Sequence, residues 1–99
     1  MIKHVVTWKL KAQAEGATKA ENAARMKTLL EACKEIPGIR SLEVGIDAGL
    51  DPTPWDVVLV VAFESRAALD AYQDHPVHQV AKFFIAKVRE QRSVVDFEG

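Results

Sequence analysis

The sequence predicts an α+β fold in which four antiparallel strands carry helices on one face. Three observations predict it. The chain opens on alternating apolar and polar residues, Ile2–Leu10, and strand-like runs recur at Ile39–Asp47, Asp56–Phe63 and Gln91–Phe97. One long amphipathic stretch separates the first two runs. A second helical stretch, split by His75-Pro76, separates the last two. The order is strand, helix, strand, strand, split helix, strand, which is the ferredoxin-like arrangement. With 99 residues the chain reads as one domain, residues 1–99, with material for one core and not for two.

In the first strand His4, Val6, Trp8 and Leu10 share one face, and Lys3, Val5, Thr7 and Lys9 the other. His4 therefore points at a core or a pocket. A core-edge histidine with one satisfied nitrogen and a functional histidine are equal readings at this point. Lys11–Ala17 is polar, contains Gly16, and reads as a loop. Thr18 followed by Glu21 fits a capping box, and Ala20, Ala23, Ala24, Met26, Leu29, Leu30, Cys33 and Ile36 then follow helical spacing. The helix is expected to end near Glu35, where Pro37 and Gly38 stop it. Met26 and Leu29 line either a cavity or, more commonly at this spacing, plain core. Cys33, the only cysteine, reads as a buried small hydrophobe.

The second strand sets Leu42, Val44 and Ile46 against Ser41, Glu43 and Gly45. A loop with two prolines leads to Trp55. The third strand is apolar on both faces through Val57–Ala62, so both faces need cover. Helices supply one side. The chain has no second sheet for the other, and a partner subunit is the simplest source, which predicts a homodimer joined sheet to sheet.

The next segment carries the chemistry. Ala68, Leu69 and Tyr72 face inward from a helix beginning at Ser65. His75, placed before a proline, is pushed out of the helical region and ends it. Pro76 opens the next helix, where its missing N–H costs nothing, and that helix runs to about Arg89. Its apolar stripe is Val77, Val80, Ala81, Phe84, Ile85 and Val88, with His78 at the stripe's edge. Tyr72 and His78 thus approach one pocket from opposite sides of a joint, a phenol and an imidazole able to bind or exchange a proton.

A net charge of -1 with no basic stripe gives no electrostatic case for nucleic acid. No apolar run approaches a membrane span and no signal peptide precedes the first strand, so the expected location is cytoplasmic, away from membranes. Gly45-Ile46-Asp47-Ala48-Gly49 is too loose for a phosphate loop, and there is no nucleophile elbow. His75 and His78 have a possible metal spacing, but Pro76 intervenes and the rings need not converge. Ordinary helix-joint residues are the better reading, magnesium at loop carboxylates is an open and equally unspecific alternative, and no cofactor is expected.

Across almost its whole length the chain resembles the stress-response A/B barrel (Dabb) family. The resemblance rests on Ile2-Lys3-His4-Val5-Val6 with Trp8-Lys9, on Ile36-Pro37-Gly38-Ile39 and on Gly45-Ile46-Asp47. Its most specific part is Leu69-Asp70-Ala71-Tyr72-Gln73-Asp74-His75-Pro76-Val77-His78. The resemblance implies a dimeric α+β barrel, two ferredoxin-like protomers with paired sheets. Most members have no assigned reaction. One plant member closes a linear polyketide by a cofactor-free aldol reaction, and its catalytic tyrosine and histidine match Tyr72 and His78, its N-terminal pocket histidine His4. A second pocket tyrosine of that member falls near Leu29, which removes a polar contact here. The catalytic candidates are accordingly His78, Tyr72 and His4, with Trp8, Leu29 and His75 at the substrate pocket. The expected ligand is a small apolar or carbonyl-containing molecule. The expected chemistry, if the protein is an enzyme, is proton abstraction beside a carbonyl, leading to aldol closure or isomerisation. The bland alternative is a non-catalytic structural protein with hydrogen-bonded core-edge histidines.

Overall fold

Period-two alternation divides β1 (Ile2–Leu10) into two faces in the computed structural model, which describes residues 1–99. His4, Val6, Trp8 and Leu10 are buried, and the residues between them are half-buried. The remaining strands are β2 (Gln13–Ala14), β3 (Ala17–Thr18), β4 (Ile39–Ile46), β5 (Val57–Phe63) and β6 (Arg89–Glu98). The helices are α1 (Lys19–Glu31), α2 (Arg66–Asp74) and α3 (Pro76–Val88). The main sheet has the order β4-β5-β1-β6, and every pairing is antiparallel. This is the expected α+β ferredoxin-like fold.

The core lies between this sheet and the helices. Leu42 and Val44 of β4, Val57, Leu59, Val61 and Phe63 of β5, and the buried face of β1 meet Met26, Leu30, Cys33, Tyr72, Ala81, Ile85 and Val88. On the opposite face Val5 stands between Val60 and Val95, and Lys3 between Ala62 and Phe97. Val60, Val95 and Phe97 are exposed there at 36%, 60% and 45%. No part of the chain covers that apolar face, as the doubly apolar third strand foretold.

Four local readings change. The expected loop at Lys11–Ala17 contains the β2–β3 hairpin, because Glu15 and Gly16 both take positive φ, 52° and 71°, as a tight two-residue hairpin turn requires. Asn22 fastens that hairpin to α1, its amide donating to the Ala14 carbonyl. The capping box forms as expected, but α1 ends at Glu31 and one 3-10 turn, Ala32–Glu35, completes the span. Val80 leaves the apolar stripe: it is 60% exposed, because α3 turns Ala81, Ile85 and Val88 to the core. The last strand is longer than Gln91–Phe97, because pairing with β1 runs from Leu10↔Arg89 to Ile2↔Glu98.

Gly38 sets the approach of α2. Its φ is +91°, its carbonyl accepts the Glu64 N–H, and a Cβ there would lie 2.6 Å from the Ala68 Cβ. Backbone strain and overpacking act together at that position. Gly38→Ala is expected to lower stability by about 3 kcal/mol in urea titration. Ala68→Gly in the same chain should relieve the clash and leave the φ cost. No change in the midpoint for Gly38→Ala would refute the account.

Candidate functional site

The site is built at the joint between α2 and α3. Ser65 caps α2, its hydroxyl accepting the Ala68 N–H at 3.1 Å. His75 then ends α2 and begins α3 at once, with φ -66° and ψ 136°. Its Nδ1 accepts the Val77 N–H at 3.2 Å, and its own N–H donates to the Tyr72 carbonyl. Pro76 fills the first position of α3. The joint brings the Tyr72 and His78 rings to a centroid separation of 4.2 Å. The Tyr72 ring also meets Phe63 at 5.1 Å and His4 at 6.2 Å, both edge-on.

His78 Nδ1 lies 3.3 Å from the Gln73 carbonyl oxygen. A carbonyl only accepts, so Nδ1 carries the proton and the neutral ring keeps its lone pair on Nε2. Burial pushes the His78 pKa below the ordinary imidazole value; the Gln73 bond opposes this, while the charges of Lys82, His4 and Arg92 reinforce it. The base form therefore dominates at neutral pH.

His4 is only 3% exposed, and its Nδ1 lies 2.5 Å from Asp96 Oδ1. Their strands pair them directly, His4↔Asp96 across β1 and β6. The carboxylate accepts, so His4 also presents Nε2 on its far side. Tyr72 is fully buried, and its hydroxyl has no hydrogen-bond partner in the chain. Burial holds its phenol far above the usual range; the nearby Cys33 adds to this and Arg92 opposes it. The phenol is thus a permanent donor.

A cavity of about 230 Å³ opens between the sheet and α3. His4, Trp8 and His78 line it. Tyr72 does not: it lies one layer behind, against His78 and His4. Leu29 does not either, because α1 turns Leu30 to the wall and leaves Leu29 half-buried beside it. His75 is spent on capping α3 and stays off the wall, so it forms no ligand pair with His78. Sequence reasoning missed Gln73, Lys82, Arg89 and Arg92 on the wall and Asp96 behind His4. The available signal was alternation in the last strand, which places Arg92, Val94 and Asp96 on the face of Trp8, Val6 and His4.

The model of the stress responsive A/B barrel domain family matches residues 2–99. No curated protein matches the chain in sequence. A dimeric protein of unknown function and ferredoxin-like fold from Bacteroides fragilis is 29% identical, with a TM-score of 0.83 over 99% of this chain and 95% of its own. A dimeric ferredoxin-like protein of unknown function from Thermobifida fusca is 27% identical, with a TM-score of 0.84 over 97% of this chain and 88% of its own. A third such dimeric protein, from Jannaschia sp., is 26% identical, with a TM-score of 0.76 over 99% and 98%.

A buried donor without a partner is costly, and Tyr72→Phe removes it while keeping the ring. The variant is expected to gain about 1 kcal/mol in urea titration. A loss of similar size would mean that the hydroxyl is satisfied in the folded protein.

Proposed function

This chain belongs to the stress responsive A/B barrel domain family, and on that footing we propose a homodimer whose protomers each bind a small carbonyl compound between sheet and helices. The observation that supports it best is His78: an imidazole on the wall of the cavity, kept neutral by burial, with Nδ1 tied to Gln73. That arrangement suits a general base. In the proposed reaction Nε2 takes a carbon-bound proton beside the carbonyl, and the electron pair moves onto oxygen as an enolate. The enolate carbon then attacks a second carbonyl in the same molecule, closing a ring and leaving an alkoxide, or, in a conjugated enolate, the proton is taken up at the far end of the conjugated system. His78 returns the proton in either case.

His4, held in place by Asp96 through Nδ1, would orient the substrate or a water whose O–H donates to its Nε2. Tyr72 is proposed as the donor to the developing enolate oxygen, on the strength of its unpaired hydroxyl. Its place behind the wall favours a second reading, in which the cavity binds its ligand without chemistry. The homodimer is proposed from the apolar face around Val5, Val60, Val95 and Phe97, and from the dimeric description of the three solved relatives.

Sedimentation at micromolar concentration should show twice the 11.0 kDa protomer mass. Val60→Lys with Val95→Lys, buried against a partner in this scheme, should halve it. An 11.0 kDa wild-type species would overturn the dimer.

Deuterium exchange into small enolisable ketones separates the two functional readings. His78→Ala should slow protein-dependent exchange by roughly 100-fold with the dimer intact. Because the His78 pKa is lowered from 6.5, wild-type exchange should persist as pH falls below 6.5 and decline only through the lowered value. Binding reported by Trp8 fluorescence, with exchange indifferent to His78→Ala, would leave the binding reading and refute the catalytic one.

A further inference from the structure

We propose that the ligand of this cavity carries a carboxylate, and that Lys82, Arg89 and Arg92 hold it at the cavity mouth. The proposal rests on reading the cavity as a small-molecule site and specifies what enters it. The cavity is lined by 12 residues, three of which are cations, and no acidic side chain is among them. All three cations reach solvent. None belongs to any of the five ion pairs in the structure. Asp96, which stands behind the wall, is engaged by His4. In a chain whose net charge is -1, this is a local excess of positive charge with no internal partner.

The cations arrive from separate places in the sequence. Lys82 stands one helical turn beyond His78, Arg89 closes α3, and Arg92 lies on β6 opposite Trp8. Their convergence is therefore a property of the fold and not of a basic run. Their charges reach inward as well, since Lys82 and Arg92 both act on His78. Two guanidinium groups and an ammonium on the lining of one cavity are the donor set suited to a planar carboxylate.

The rest of the wall grades the cavity. Val6, Trp8, Leu30, Leu59 and Ile85 make an apolar floor, with His4 and His78 on the same wall. A matching ligand has a hydrocarbon or aryl body, a carbonyl whose neighbouring C–H faces His78, and a carboxylate at the rim. The volume, about 230 Å³, lies below the roughly 300–1,000 Å³ of drug-sized pockets, which restricts the class to small keto acids. A cationic rim also stabilises negative charge as an enolate forms.

The test uses benzoylpropionate and its uncharged primary amide, titrated against the full-length protein. Trp55→Phe makes the fluorescence report Trp8 alone. The acid is expected to bind roughly tenfold tighter than the amide at low salt, with the gap narrowing as salt rises. In Lys82→Gln/Arg89→Gln/Arg92→Gln the ratio of the two affinities should fall toward one. Equal affinity of acid and amide in the wild type, or a preference that survives the triple substitution, would overturn the proposal and leave the cavity reading standing. Failure of both probes to bind would overturn both. A preference for the acid with no His78-dependent exchange supports the carboxylate site and removes only the proton chemistry.

Discussion

The Tyr72–His78 pair at the heart of the site depends on one peptide, His75–Pro76. A proline cannot donate, and it forces its predecessor out of the helical region, so α2 must stop there and α3 must start anew. An unbroken helix from Arg66 to Val88 would carry Tyr72 and His78 six residues apart, on different faces. The break folds them against each other instead. His75 stabilises the break twice over, closing one helix with its backbone and opening the next with its imidazole. The carbonyl of Gln73, released from helical pairing by the break, is the group that fixes His78; it also accepts the Gln79 amide at 2.6 Å.

The polarity of the site follows from what surrounds that joint. Phe63, Tyr72 and the buried face of β1 form an apolar backing in which an imidazole resists protonation. The open end faces β6, an edge strand with little of its own buried, and there charged side chains can stay hydrated. Dry backing and wet rim lie only a few residues apart. Two histidines span the gradient, each with Nδ1 committed to the chain and Nε2 unclaimed by it.

Much of this was legible in the residues. The alternation of β1, the Thr18–Glu21 capping box and the His75-Pro76 break are local signals with local physical causes, and each element formed where its signal stood. The β2–β3 hairpin was not legible, because Glu15 at positive φ is an uncommon use of a glutamate. Val80 was misplaced because the stripe of α3 is wide in sequence, while only its narrower half meets the sheet. The cations of the mouth were invisible for a deeper reason. Lys82, Arg89 and Arg92 look like ordinary solvated charges along their own elements, and only the tertiary pairing of β6 with β1 gathers them. Asp96 is the same case: it partners a histidine 92 positions away.

That distance has a consequence for the working lifetime of the site. Within one protomer β6 contributes Arg92 and Asp96 but little to the core, and its only strand neighbour is β1; in the proposed dimer Val95 and Phe97 also meet the partner. Local opening of an edge strand costs less than global unfolding. The chain can therefore lose its ligand mouth and the clamp on His4 while the helices and the β4-β5-β1 sheet stay folded. Melting curves would register an intact protein in that condition. The effective stability of the site is the free energy that keeps the last strand zipped to the first and, in the proposed dimer, packed on the partner; amide protection along Val94–Phe97 measures it more faithfully than any denaturation midpoint.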